Sequence, residues 1–203
     1  MKKLILLLFF AGAVISLFAQ QKSYKFGIKG GLSYVHLENY GKGYYSDFEP
    51  LTGWCVGALF QYKTGGFVNY SVVPEIMFTS STTDVDLIYI TDCKTTIQSI
   101  DIPVSFKVGL QLSKIFRPYV LGTVYGSYVV EYKGDIFYML DDYESLQKKN
   151  INKFFFGVGT GLGFDIWKFQ IEGRYRWNLN SIVSEDYDGL KQMGLELTLA
   201  FLL

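Results

Sequence analysis

The sequence predicts an all-β chain: eight antiparallel strands closed into a barrel of the outer-membrane type. Three observations point there. Apolar and polar residues alternate with a period of two along most of eight segments, which sorts side chains onto opposite faces of a strand. The connections between segments run long, then short, in strict alternation. The polar face is rich in glycine and carries charges of both signs, unlike an ordinary solvated surface.

Ahead of the strands stand Met1-Lys2-Lys3, an apolar run from Leu4 to Phe18, and Ala19-Gln20. A positive start, an apolar centre and a small residue make an export signal peptide. The run is shorter than the ~20 residues a spanning helix needs, and no later run reaches that length. The expected division is a leader over 1–19 and a barrel domain over 20–203.

The first segment, 24–35, puts Tyr24, Phe26, Ile28, Leu32 and Tyr34 on one face and Lys25, Lys29 and Ser33 on the other. The second, 51–62, sets Trp54, Val56, Ala58, Phe60 and Tyr62 against Gly53, Cys55, Gly57 and Gln61. The third, 67–79, sets Val68, Tyr70, Val72, Ile76 and Phe78 against Asn69, Ser71, Glu75 and Thr79. In the fourth, 97–110, Ile100, Ile102, Val104, Phe106, Val108 and Leu110 oppose Asp101, Ser105, Lys107 and Gly109. The fifth, 117–131, is rich in β-formers but ambiguous in phase.

The sixth, 154–166, alternates Phe154, Phe156, Val158, Thr160, Leu162, Phe164 and Ile166 with Phe155, four glycines (157, 159, 161, 163) and Asp165. Such glycines weaken a solvated strand but suit a narrow interior where bulky neighbours need room. The seventh, 169–180, sets Phe169, Ile171, Gly173, Tyr175, Trp177 and Leu179 against Gln170, Glu172, Arg174, Arg176, Asn178 and Asn180. The closing strand sets Leu195, Leu197, Leu199 and Phe201 against Gly194, Glu196, Thr198 and Ala200. Pro74 and Pro103 fall inside strands of a closed sheet, so each is expected to mark a bulge or to lie beyond the paired stretch.

Connections Lys63–Gly66, Gln111–Phe116 and Asp165–Lys168 are short; His36–Pro50, Ser80–Thr95 and Tyr132–Asn152 are long; Ser181–Leu190 is intermediate. Outer-membrane barrels have short periplasmic turns and longer external loops. Charge sorts the same way. Residues 36–50, 80–95, 131–153 and 180–191 carry 14 acidic and 7 basic side chains, and the rest of the mature chain 5 and 10.

A soluble calyx would bury the apolar face around a ligand. The inverted arrangement is favoured because the glycine-rich polar face carries charges that can pair across a small lumen: Lys25, Lys29, Lys107, Arg174 and Arg176 with Glu75, Asp101, Glu172 and Glu196. Aromatic residues Tyr24, Tyr34, Trp54, Tyr62, Trp167, Trp177 and Phe201 lie near strand ends, where interfacial girdles sit.

Taken in order, Ile100-Asp-Ile-Pro-Val-Ser-Phe-Lys107, Arg117-Pro-Tyr-Val-Leu-Gly122, Gly157-Val-Gly-Thr-Gly-Leu-Gly-Phe-Asp165, Glu172-Gly-Arg-Tyr-Arg176 and the closing strand resemble the PorT-like outer-membrane β-barrel proteins of Bacteroidetes. The resemblance implies an eight-stranded barrel in the Gram-negative outer membrane. For some members it implies a part in secretion of other proteins.

Chemistry is sparse. The single histidine, His36, has Ser33 and Glu38 nearby, and would serve an outer-membrane lipid-modifying hydrolase as a base beside a nucleophile. The spacing matches no known motif, and a solvated histidine is the plainer reading. The acidic groups Asp84/Asp86, Asp141/Asp142 and Glu185/Asp186/Asp188 lack the ligand spacing of a calcium loop. Cys55 and Cys93 allow one disulfide after export. The lumen charges are read as a structural network in place of an apolar core, over the alternative of a narrow pore.

Tyr40, Tyr44, Tyr45 and Phe48 in the first loop, and Phe137, Tyr138, Met139 and Tyr143 in the third, are candidate binding aromatics. Neither catalytic residues nor a cofactor or metal is expected. The expected partners are outer-membrane lipid and other envelope proteins. A mature net charge of −2, from 17 basic and 19 acidic residues, argues against nucleic acid.

Overall fold

The computed structural model describes residues 22–39, 51–87, 90–134, 153–180 and 190–203. Eight strands follow in chain order: β1 (Lys22–Asn39), β2 (Leu51–Thr64), β3 (Val68–Leu87), β4 (Ile90–Leu110), β5 (Phe116–Gly134), β6 (Phe154–Ile166), β7 (Phe169–Asn178) and β8 (Leu190–Leu202). Each pairs antiparallel with its chain neighbour, and β8 returns to β1, so the barrel is closed and no edge is left open.

The register sets the size. Following cross-strand partners from Tyr24 through Tyr62, Val72, Phe106, Gly122, Thr160, Tyr175 and Leu195 returns to β1 at Tyr34, an offset of ten residues. For eight strands this tilts the strands by roughly 40° and gives a barrel radius of roughly 8 Å, a space that side chains fill.

The faces are inverted relative to a soluble protein. Leu32 is 68 % exposed and Leu162 67 %, whereas Lys29 is 2 % exposed and Glu172 1 %. A water-soluble calyx needs the opposite sorting. β5, whose phase is ambiguous in sequence, takes Arg117, Tyr119, Leu121, Thr123, Tyr125, Ser127 and Val129 inward. Both of its faces carry large apolar residues, so alternation alone could not choose.

Two expectations need correction. The Ser80–Thr95 connection is not a long loop, because β3 and β4 continue pairing out to Leu87 and Ile90. Its Ser, Thr and Val residues favour strand, and beyond the hydrocarbon no apolar face is required, so the alternation that marks a spanning strand fades there. The prolines mark no register shift. Pairing skips Phe60–Gln61 against Val73–Pro74 and Glu75–Ile76 against Ile102–Pro103, with the same register on either side. The bulges lie elsewhere, between Val85 and Leu87 and between Gln98 and Ser99. Each proline removes one N–H donor, and the closed sheet absorbs the gap locally.

Cys55 is a buried free thiol and forms no disulfide. On β3 its partner is Thr79, while the partner of Cys93 is Val85, a difference of about 20 Å along the strand. The turn after β2 passes through Gly66 at φ 108°, a conformation that glycine adopts without strain.

Candidate functional site

The barrel interior is built as ionic layers stacked along the axis. The central layer joins Lys29 from β1, Glu75 from β3, Lys107 from β4, and Glu172 and Arg174 from β7. Lys29 Nζ donates to both oxygens of Glu75 at 2.9 and 3.0 Å and to Glu172 Oε1 at 3.1 Å. Arg174 Nη2 donates to Glu75 Oε1 at 3.0 Å, to Ser105 Oγ at 3.2 Å and to Glu172 Oε1. Lys107 Nζ donates to Glu172 Oε2 and, at 2.9 Å, to Gln170 Oε1. β3 and β7 stand four places apart among eight strands, so the Arg174–Glu75 bond ties opposite walls together.

The outer layer centres on Asp101 of β4. Its carboxylate accepts from Arg176 Nη1 at 2.9 Å, Ser99 Oγ at 3.0 Å, Thr79 Oγ1 at 3.2 Å and Ser127 Oγ. Arg176 Nη1 also donates to Glu196 Oε2 at 3.2 Å. Beside this layer lies a cavity of about 70 Å³, lined by Ser33, Ser81, Asp101, Arg176 and Glu196 among others. Ser33, the candidate nucleophile, faces the lumen with its Oγ 3.2 Å from Ser81 Oγ.

A third layer lies at the end of the barrel that carries the β2–β3, β4–β5 and β6–β7 turns. Arg117 Nη1 donates to Asp165 Oδ2 at 2.9 Å, and its Nη2 to Ser71 Oγ at 2.7 Å. Gln170 Nε2 donates to Asp165 Oδ1 at 2.9 Å. Arg117 and Asp165 are direct cross-strand partners, so this pair becomes legible once the phase of β5 is known.

The glycines of β6 make two crossings. Tyr119 is paired with Gly163, which is paired with Glu172; the Tyr119 hydroxyl reaches over β6 to Glu172 Oε2 at 3.2 Å. Tyr125, Gly157 and Asn178 repeat the arrangement, with the Tyr125 hydroxyl donating to Asn178 Oδ1. A Cβ on Gly163 would stand 2.6 Å from the Tyr119 hydroxyl, and one on Gly157 would strike the Tyr125 ring. Cations brace these rings: Lys107 Nζ lies 4.8 Å from the Tyr119 centroid and the Arg176 guanidinium 4.0 Å from that of Tyr125.

Of the nine charged residues assigned to the interior from sequence, five meet in the central layer and three (Asp101, Arg176, Glu196) in the outer one. Lys25 is half-buried and forms no ion pair among the described residues. The backbone of His36 lies within β1, opposite Met193, rather than in a loop. Its side chain lies outside the described residues. So do the leader over 1–19, the loop aromatics Tyr40, Tyr44, Tyr45, Phe48, Phe137, Tyr138 and Tyr143, and the side chains of the acidic groups. Among the described residues, no cluster of three or more His, Cys, Asp or Glu side chains forms a metal site.

The family comparison agrees with this architecture. Residues 18–184 match a family model described as an outer membrane protein beta-barrel domain. Similar solved structures include Ail, the attachment invasion locus protein of Yersinia pestis, at 11 % identity over 88 % of this chain and 98 % of that one, with a TM-score of 0.40. The same protein in complex with the heparin analogue sucrose octasulfate gives 10 %, 89 %, 99 % and 0.45. Neisserial surface protein A gives 10 %, 90 %, 99 % and 0.46. No curated protein matches. The family match runs from ahead of β1 to beyond β7, and this chain therefore belongs to the outer membrane protein beta-barrel domain family, whose place is the Gram-negative outer membrane.

Proposed function

We propose that this chain is a non-enzymatic structural and interaction protein: a rigid barrel, exported with the leader over 1–19, that presents its external loops to other envelope proteins. The resemblance to PorT-like barrels makes accessory service to protein secretion or envelope transport the process to test. The observation that carries this reading is the paired lumen. The Lys29–Glu75–Arg174–Glu172–Lys107 layer occupies the middle of a barrel of roughly 8 Å radius, and each of its carboxylates is engaged by cations. A carboxylate held that way is neither a free general base nor the wall of an open channel.

The test has two parts. Cross-linking in intact cells followed by purification from membranes should recover a defined envelope partner, and deletion of the external loops should release it. Purified protein in planar bilayers should show no single-channel steps. Regular conductance steps would replace this reading with a pore. An altered lipid A acyl pattern in a deletion strain, unrestored by His36→Ala, would replace it with the hydrolase.

A further inference from the structure

The turn between β6 and β7 is a two-residue hairpin, Trp167–Lys168, closed by the pair Ile166–Phe169. Trp167 has φ 56°, the left-handed region that glycine ordinarily supplies at such a turn. An indole there costs on the order of 1–2 kcal/mol of backbone strain. The strain is held by the neighbouring turn, since Trp167 N–H donates to Ile115 O at 2.7 Å. The indole remains 63 % exposed. Backbone strain is thus retained at a position where the side chain packs little against protein.

The surroundings indicate what the indole meets. Lys168 Nζ lies 5.7 Å from the Trp167 ring centroid and 5.7 Å from that of Phe201. Phe169 packs against both rings, with centroids 6.4 Å from Trp167 and 5.4 Å from Phe201. These rings belong to the outward faces of β7 and β8 or to the β6–β7 turn, at the boundary between hydrocarbon and water. The ammonium is therefore held at the depth of a lipid headgroup and not in the water beyond it.

Charge at this end is one-sided. Lys25, Lys63, Lys114 and Lys168 form no ion pair among the described residues. Asp165, the one side-chain carboxylate at this end among the described residues, is already engaged by Arg117 and Gln170. Lys114 sits on the adjoining turn, next to the Ile115 whose carbonyl holds Trp167.

We propose that the rim formed by the β4–β5 and β6–β7 turns binds the phosphate of an acidic phospholipid in the periplasmic leaflet. Lys168 and Lys114 supply the cations, and Trp167 anchors the glycerol region of the lipid. The indole, the ring-held ammonium and the unpaired second lysine together form a headgroup clamp, which explains a tryptophan where glycine would be unstrained.

The mature protein, refolded into phosphatidylcholine vesicles, provides the test. Trp54→Phe with Trp177→Phe leaves Trp167 as the sole tryptophan. Brominated phosphatidylglycerol should quench it more than brominated phosphatidylcholine at equal mole fraction, reflecting a preference of about fivefold at low salt. The preference should vanish in Lys114→Gln/Lys168→Gln, whose barrel integrity is read from heat-modified gel mobility. Equal quenching by the two lipids, or a preference surviving the double substitution, would overturn the proposal. A preference abolished by soluble phosphate at constant ionic strength would assign the rim to a free anion and overturn the lipid assignment.

Discussion

The central and outer ionic layers use the same residue types in different surroundings. In the central layer, the side chains of Lys29, Glu75, Lys107, Glu172 and Arg174 are at most 1 % exposed. In the outer layer the Arg176 side chain is 18 % exposed and a cavity adjoins it. An ion buried without solvent is expensive unless its partner stays in place. One beside a cavity can be rehydrated when a partner leaves. The central layer therefore acts as the core of this barrel, and the outer layer as its adaptable mouth. Around the central layer the inward face also carries a small apolar cluster of Leu59, Val73, Ala200 and Leu202, too small to hold the walls together alone.

This contrast can be broken by substitution, and the largest effect is expected in the central layer. Glu172→Ala leaves Lys29, Lys107 and Arg174 facing only Glu75, and should destabilise the barrel by about 3–5 kcal/mol. Urea unfolding in lipid vesicles measures this, and a wild-type midpoint would contradict a structural role for the layer. Next are the glycine crossings. Gly163→Val drives a side chain into Tyr119, and a loss of about 1–3 kcal/mol is expected. Gly122→Val, on the lipid face of β5 with open space around it, should change stability far less in the same assay.

Tyr119→Phe removes one hydroxyl bond to Glu172 while keeping the ring, for a loss of about 1 kcal/mol. The smallest effect belongs to the outer layer. Glu196→Gln leaves Arg176 bonded to Asp101 and should shift stability by less than about 1 kcal/mol. If Glu196→Gln proved as damaging as Glu172→Ala, the distinction between core and mouth would be lost. Equal tolerance of both would sink it from the other side.

Much of this was legible in the residues. Alternation in β7 puts Glu172, Arg174 and Arg176 on one face, and charges of both signs on that face mark it as the interior. The run of glycines at 157, 159, 161 and 163 announced a crowded interior, but not what crowded it. The answer was Tyr119 and Tyr125, hidden because β5 carries bulky apolar residues on both faces. The outer ends of β3 and β4 resemble loop in sequence because strands beyond the hydrocarbon have no lipid to face and so lose the pattern that reveals them. Arg174 and Glu196 are direct neighbours in register, yet Arg174 bonds Glu75 and Glu172 while Glu196 takes Arg176.

The sequence by itself determined the number of strands and the face that every spanning stretch except β5 turns to lipid. These follow from local geometry, since a strand reverses its side chains at every residue whatever lies around it. Only the tertiary structure decided which cation meets which carboxylate. Those contacts join strands across the lumen between residues as far as 143 positions apart, and the closing offset and the radius it imposes, neither of them a property of any one strand, choose the partners.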